Sequence, residues 1–180
     1  MPVTDAEVRR IMAHFDTSVA GGRCTWCSFD WTIGVEEAAT IVGETPEWCR
    51  QAFEGRWEEA RRKPAPELWS PSAYVWHMAD AIGVWAERLV ALAQDRERPL
   101  AGFDQDDLAD VRRYEELSTR AGLWAFQRRV DDWNDARAAI SPDTELLHPD
   151  FGPWTVAAVV RWMAHDLNHH RADITRALAA

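Results

Sequence analysis

Residues 155–180 form an uninterrupted segment with helical periodicity, and this segment constrains the fold more than any other. It contains no glycine or proline, and Thr155 follows Gly152 and Pro153, a position that suits a helix N-cap. A helix with one apolar face must bury that face against other elements. The apolar face consists of Val156, Val159, Val160, Met163, Leu167, Ile174 and Leu178.

The same segment carries four side chains that bind metals or move protons: His165, Asp166, His169 and His170. At about 100° per residue, His170 lies within the apolar face and Asp166 at its edge. His165 and His169 lie on the opposite side. Because residues four apart on one face can hold a single ion, Asp166/His170 and His165/His169 are competing ligand pairs. The alternative is that His170 is an ordinary core histidine and the other side chains are solvated.

Helical periodicity and capping residues predict five earlier helices, and no alternating run is long enough to require a sheet. The second is predicted to break at residues 43–46, with Thr45 as N-cap and Pro46 in the next helix's first turn. The prediction is an all-α bundle of four main helices (domain 35–180) with a short N-terminal extension (domain 1–34). The five predicted helices span residues 5–19, 35–62, 70–95, 104–116 and 118–140.

A third candidate ligand, His77, lies on the helix predicted to begin at Ser70. It falls at the edge of that helix's apolar face, one turn beyond Tyr74. A metal site between helices needs a ligand from a second helix, and His77 supplies one. His169, Asp80 and Tyr74 are candidates for proton transfer, but their spacing does not rank them.

Cys24 and Cys27 form an isolated CxxC motif, which is typical of half a zinc site, of a redox pair, or of two packed thiols. A zinc site needs a second pair of ligands. Cys49 and His14 are the candidates nearby in the sequence, and neither repeats the spacing. The sequence therefore favours two packed thiols.

Composition excludes several classes of partner. A net charge of −10 argues against nucleic-acid binding. No apolar run approaches the roughly 20 residues that span a bilayer, so no membrane partner is expected. The polar N-terminus is unlike a signal peptide, and an odd count of three cysteines fits the reducing cytoplasm.

Three motifs resemble the DinB-like bundle superfamily, which includes YfiT-like proteins and mycothiol-dependent maleylpyruvate isomerases. Trp69-Ser70-Pro71 followed by WHMAD at residues 76–80 is similar to the family's segment with the first ligand. Residues 165–174 are similar to the segment with the other two ligands. RRKPAPELW at residues 61–69 resembles a branch with an N-terminal CxxC.

The resemblance implies a divalent metal near one end of a four-helix bundle, and often a homodimer. The family spacing fits Asp166 and His170 followed by Asp173 and Ile174, and fits poorly when counted from His165. His77, Asp166 and His170 are thus the implied metal ligands, with Asp166 standing where the family has His or Glu. Two histidines and a carboxylate suit Zn²⁺ or Ni²⁺, and also Fe²⁺.

Three functional interpretations follow from the sequence. The first is a metal-dependent enzyme that uses activated water, or a low-molecular-weight thiol, on a small-molecule substrate. The resemblance implies a hydrolase or a thiol-dependent transferase or isomerase. The second is a non-catalytic metal-binding stress protein. The third is a metal-free helical module for ligand binding or interaction.

Overall fold

The structure, a computed structural model, describes residues 22–97, 99–149 and 152–179, and the helix predicted at residues 5–19 lies outside them. Short 3₁₀ turns occupy Glu59–Arg61 and Tyr114–Glu116. In chain order the helices and strands are α1 Val35–Phe53, α2 Pro71–Gln94, α3 Gln105–Arg112, α4 Thr119–Ala138, β1 Glu145–His148, β2 Gly152–Thr155 and α5 Val156–Ala179.

Four long helices form the bundle. Helix α2 packs along α4 and α5, and α1 packs along the same two helices, so α1 and α2 stand diagonally opposite. Large side chains that are almost fully buried fill the space between them, among them Phe53, Phe126, Trp133 and Leu167. The predicted all-α four-helix bundle is confirmed.

Three of the predicted helix starts are confirmed by capping hydrogen bonds. The Ser70 hydroxyl accepts from the backbone N–H of Ala73 at 3.1 Å, at the start of α2. Ser118 does the same for α4, and the Thr155 hydroxyl accepts from Ala158 N–H at 3.2 Å at the start of α5. Each cap satisfies a backbone donor that has no partner within its own helix.

The predicted helix break at residues 43–46 is wrong, because α1 runs unbroken through Pro46 to Phe53. Thr45 is not an N-cap: it is buried, and its hydroxyl donates back to the carbonyl of Ile41 at 2.7 Å. Pro46 removes one helical hydrogen bond but is itself buried in the bundle. Burial therefore outweighs the local preference, and the chain leaves the helix only before Gly55, whose φ is +73°.

A short hairpin leads into α5, although the sequence contains no alternating run that predicts a sheet. Strand β1 pairs antiparallel with β2, with Glu145 opposite Thr155 and His148 opposite Gly152. The N–H of Val156 then donates to the carbonyl of Thr144 at 3.0 Å, which connects the hairpin directly to the first residue of α5. Strands of four residues, one containing a proline, are too short to produce a clear alternating pattern.

Residues 22–34, called here the N-terminal strap, lie along the outer side of α5. Three hydrogen bonds from α5 side chains to strap carbonyls hold it there: Arg161 to Ile33 at 2.9 Å, Asn168 to Cys27 at 3.2 Å and Arg176 to Trp26 at 2.8 Å. The strap thus covers a face of α5 that would otherwise meet solvent. Within the described ranges, no helix combines the length and apolar character needed to cross a bilayer.

Candidate metal centre

His77 of α2 and Asp166 and His170 of α5 converge where the two helices pack, and are called here the carboxylate–histidine cluster. One ligand atom from each side chain lies within 4.8 Å of the other two. His170 Nε2 lies 3.5 Å from Asp166 Oδ1. Asp166 therefore reaches the cluster despite having a shorter side chain than glutamate.

His77 is the most deeply buried member, with 3% of its surface exposed. Its Nε2 has no hydrogen-bond partner among the residues that the structure describes. A buried polar atom without a partner costs on the order of 1–3 kcal/mol, so such atoms need a physical explanation. A cation held jointly with Asp166 and His170 would give this nitrogen a partner.

Aromatic rings enclose the cluster. The Trp69 ring lies 5.1 Å from the His77 ring, and the Tyr74 ring lies 5.1 Å from the His170 ring. The His77 and His170 rings meet edge to face at 4.8 Å. These rings limit access of bulk water, which strengthens electrostatic interactions inside the cluster.

The protonation states in this cluster follow from burial and charge. Burial, together with the neighbouring His170, lowers the pKa of His77 to about 4 against the opposing effect of Asp166, so His77 is neutral at pH 7. Burial also opposes the charged form of His170, but the Asp166 and Asp173 carboxylates outweigh it and raise the pKa of His170. A cation at this cluster would replace the proton that these carboxylates favour.

Asp173 orients His170. Its Oδ2 lies 3.0 Å from His170 Nδ1, while its Oδ1 accepts a hydrogen bond from Trp26 Nε1 at 2.7 Å. Burial opposes ionisation of Asp173, but hydrogen bonding to His170 and Trp26 and the charge of His170 together lower its pKa. A carboxylate on one ring nitrogen leaves the other nitrogen to face a metal, which is the usual arrangement around ligating histidines.

A second group of ligand-type side chains, called here the cysteine–histidine cluster, lies on the other side of α5. It consists of Cys24, Cys27, His165 and His169, whose ligand atoms all lie within 4.8 Å of one another. Cys24 Sγ is 3.8 Å from His169 Nδ1. Burial raises the pKa of the Cys27 thiol to about 11 and lowers that of His165 to about 3, with His169 adding to the second effect.

The structure bears on two alternatives that the sequence left open. His165 is not solvated on the outer side of α5: only 1% of its surface is exposed, because Phe29 and Trp31 of the strap pack over it. Cys49 is buried in α1 and does not join the other two cysteines, while His14 lies outside the described residues. A helical wheel omits the strap, so it could not reveal this burial. The sequence signal that could have indicated one shared site is the combination of C-x₂-C at residues 24–27 with H-x₃-H at residues 165–169.

The three candidates for proton transfer have different surroundings. Asp80 forms an ion pair with Arg112 and accepts a hydrogen bond from Tyr114 Oη at 2.6 Å, so both its oxygens are engaged. His169 stacks against Trp26 beside Cys24, in the other cluster. Tyr74 packs on His170, and burial, followed by the nearby negative charges, raises its pKa to about 12. The Tyr74 ring lies 5.1 Å from the His170 ring and the His169 ring lies 6.0 Å from it, so Tyr74 makes the closer ring contact with the carboxylate–histidine cluster.

Comparison with models of protein families identifies the family of this chain. A sequence model of the DinB superfamily matches residues 47–174, well over half of the chain and all of the carboxylate–histidine cluster. The chain belongs to the DinB superfamily. The predicted family is thereby confirmed, and no curated protein matches the sequence significantly.

This DinB-superfamily chain shares its fold with YfiT from Bacillus subtilis. The two superpose with a TM-score of 0.72 over 90% of this chain and 95% of YfiT, at 16% sequence identity. YfiT is described as a probable metal-dependent hydrolase with an unusual four-helix bundle topology. At this identity the likeness establishes the shared bundle, and the activity of this chain has to be argued from its own residues.

Proposed function

We propose that this protein is a metal-dependent hydrolase that acts on a small molecule and holds one divalent ion through His77, Asp166 and His170. The observation that carries the proposal is the buried His77 ring: its Nε2 has no partner among the described residues, and one of its ring nitrogens lies within 4.8 Å of a carboxylate oxygen and of a second imidazole nitrogen. Membership of the DinB superfamily, and the description of YfiT, add support.

The donor set suits a catalytic ion. Three protein ligands leave coordination positions open, and two nitrogens with one oxygen suit Zn²⁺, Ni²⁺ or Fe²⁺. Such an ion supplies Lewis acidity and makes water nucleophilic at neutral pH. Asp173 holds the His170 ring in the orientation that presents Nε2 to the cluster.

Tyr74 is our candidate for proton transfer to a leaving group. Its phenol is protonated at pH 7 because its pKa is about 12, and its ring contacts His170. A group that gives up a proton during the reaction must hold it beforehand, which Tyr74 does, whereas both Asp80 oxygens are already engaged by Arg112 and Tyr114. The Trp69 and Tyr74 rings would enclose a substrate.

The test combines metal analysis with turnover. The protein, purified in chelator-free buffer, is loaded with Zn²⁺, Ni²⁺ or Fe²⁺ and assayed on a panel of small esters, amides and thiol adducts. We expect metal-dependent hydrolysis in the wild type and its loss in His77→Ala. His148→Ala is the matched control, because it removes a buried histidine outside both clusters.

Each other outcome changes the proposal in a defined way. Turnover of thiol adducts that requires added thiol would replace the hydrolase with a thiol-dependent transferase or isomerase. A metal at His77 without any turnover would indicate a non-catalytic metal-binding protein. A cytoplasmic homodimer, which the family resemblance and the cysteine count suggest, remains a prediction for fractionation and light scattering.

A further inference from the structure

We propose that Cys24, Cys27, His165 and His169 bind a second metal ion, a structural Zn²⁺ that fastens the N-terminal strap to α5. This site is independent of the proposed hydrolase chemistry, since it shares no ligand with the carboxylate–histidine cluster. Its four ligands come from two parts of the chain that are about 140 residues apart in sequence, and only the fold brings them together.

The ligand types and spacing are those of a structural zinc site. Two thiolates and two imidazoles form a complete tetrahedral set, in contrast to catalytic sites, which keep a position open. The cysteines are separated by two residues and the histidines by three, on consecutive turns of α5. Both separations lie within the ranges that structural zinc sites use.

The distances fit a Zn²⁺ ion after small side-chain adjustments. Tetrahedral bonds of about 2.0–2.3 Å place ligand atoms roughly 3.3–3.8 Å apart. The Cys24 Sγ to His169 Nδ1 distance is 3.8 Å, and all four ligand atoms lie within 4.8 Å. Because every ligand atom already lies near the tetrahedral spacing, rotations of side chains suffice and the backbone can stay where it is.

The backbone of the strap is already shaped for the site. The N–H of Cys24 donates to the Phe29 carbonyl at 2.9 Å, and the N–H of Ser28 donates to the Cys24 carbonyl at 2.8 Å. Ser28, which follows Cys27, has a φ of +60°, so the turn that carries the two cysteines is closed by a left-handed residue. Asn168 donates to the Cys27 carbonyl at 3.2 Å and fixes the second cysteine against α5.

Aromatic side chains shield the site from water. Trp31 and Phe29 lie 4.5 and 5.5 Å from the His165 ring, and Trp26 stacks on His169 at 6.1 Å. A dry environment of this kind slows exchange of the ion and favours a structural role. A reversible disulfide between Cys24 and Cys27 is the competing use of the same thiols, and it would leave both histidines without a metal.

The experiment measures metal and thiols in the same preparations. Metal-to-protein ratios are determined by mass spectrometry for the wild type, Cys24→Ser/Cys27→Ser and His169→Ala. Cys49→Ala is the matched control, since it removes the buried cysteine that lies outside the cluster. Cobalt substitution then reports the ligands, because Co²⁺ bound to thiolates gives an intense charge-transfer band in the near ultraviolet.

We expect one tightly held zinc in the wild type that persists in Cys49→Ala and in His77→Ala but is lost from the double cysteine variant. Losing two of four ligands should weaken binding by more than the ~10–100-fold cost of losing an outer hydrogen-bond partner. His169→Ala removes a half-buried ring, so it tests the site with less risk to the core than changing His165.

Three results would overturn the proposal. One is full zinc content in the double cysteine variant. Another is a cobalt-loaded wild type without thiolate charge transfer. The third is a wild-type protein in which, after unfolding in the presence of a chelator, only Cys49 reacts with a thiol reagent, which would assign Cys24 and Cys27 to a disulfide. Zinc that is lost in His77→Ala but retained in the double cysteine variant would support the carboxylate–histidine site and refute only the cysteine–histidine site.

Discussion

Replacing Asp173 by Asn tests how the carboxylate–histidine cluster is built. The substitution preserves the size of the side chain, which is about 15% exposed, but removes its charge and one of its two acceptor oxygens. Two donors depend on those oxygens, His170 Nδ1 at 3.0 Å and Trp26 Nε1 at 2.7 Å. An amide can accept from one of them and must turn its NH₂ toward the other.

The size of the expected loss in metal affinity follows from the role of the Asp173 carboxylate. If His170 binds the ion through Nε2, the proton resides on Nδ1 and Asp173 stabilises that tautomer. Losing such a partner typically weakens metal binding 10–100-fold, equivalent to about 1.4–2.7 kcal/mol. We therefore expect Asp173→Asn to bind its ion ~10–100-fold more weakly than the wild type, with the zinc held by Cys24 and Cys27 unchanged in stoichiometry.

The assay is a competition titration against a chromophoric chelator, carried out on protein whose cysteine–histidine cluster is already loaded. Asp132→Asn is the control, because it makes the same chemical change at an exposed carboxylate of α4. Unchanged affinity in Asp173→Asn would refute the assigned orientation of His170. Equal losses in both variants would refute a specific role for Asp173.

Three further predictions concern stability. Ser70→Ala should lower the free energy of unfolding by about 1 kcal/mol in urea titrations, because Ala73 N–H loses its cap at the start of α2. Trp133→Ala should cost ~3–5 kcal/mol in the same assay, since the ring is fully buried between the helices. A chelator should lower the Tm of the wild type more than that of Cys24→Ser/Cys27→Ser, measured by circular dichroism, because a metal that binds only the folded state stabilises it.

The bundle was predictable because the sequence signals that specify its helices are local. Apolar residues at helical spacing and capping residues such as Ser70 and Thr155 act within one or two turns, and the structure places helix starts where they indicate. The helix break predicted at Pro46 was wrong because tertiary contacts, and not local signals, decide the structure there. Its local preference ends a helix, but its burial against the rest of the bundle keeps α1 continuous.

The candidate site was predictable in part. Helical geometry brought Asp166 and His170 onto one face, and the structure places His77 beside them. The surroundings of His165 were not predictable from the wheel, because the strap that buries it is more than 130 residues away in the sequence. Asp173 likewise gained its second partner from the strap, through Trp26.

If both proposed sites are occupied, the one-residue offset between the ligand pairs of α5 links them thermodynamically, although they share no ligand. His165 precedes Asp166 and His169 precedes His170, so each turn of the helix points one ligand to either side, about 100° apart. An ion bound by one ligand pair would restrain rotation of α5 about its axis. Because both pairs lie on α5, the same restraint would also fix the direction in which the other pair points. The coupling is reciprocal: the first ion would change the binding free energy of the second by the same amount as the second changes that of the first. Zinc bound by Cys24, Cys27, His165 and His169 would then change the metal affinity of the carboxylate–histidine cluster through a single helix.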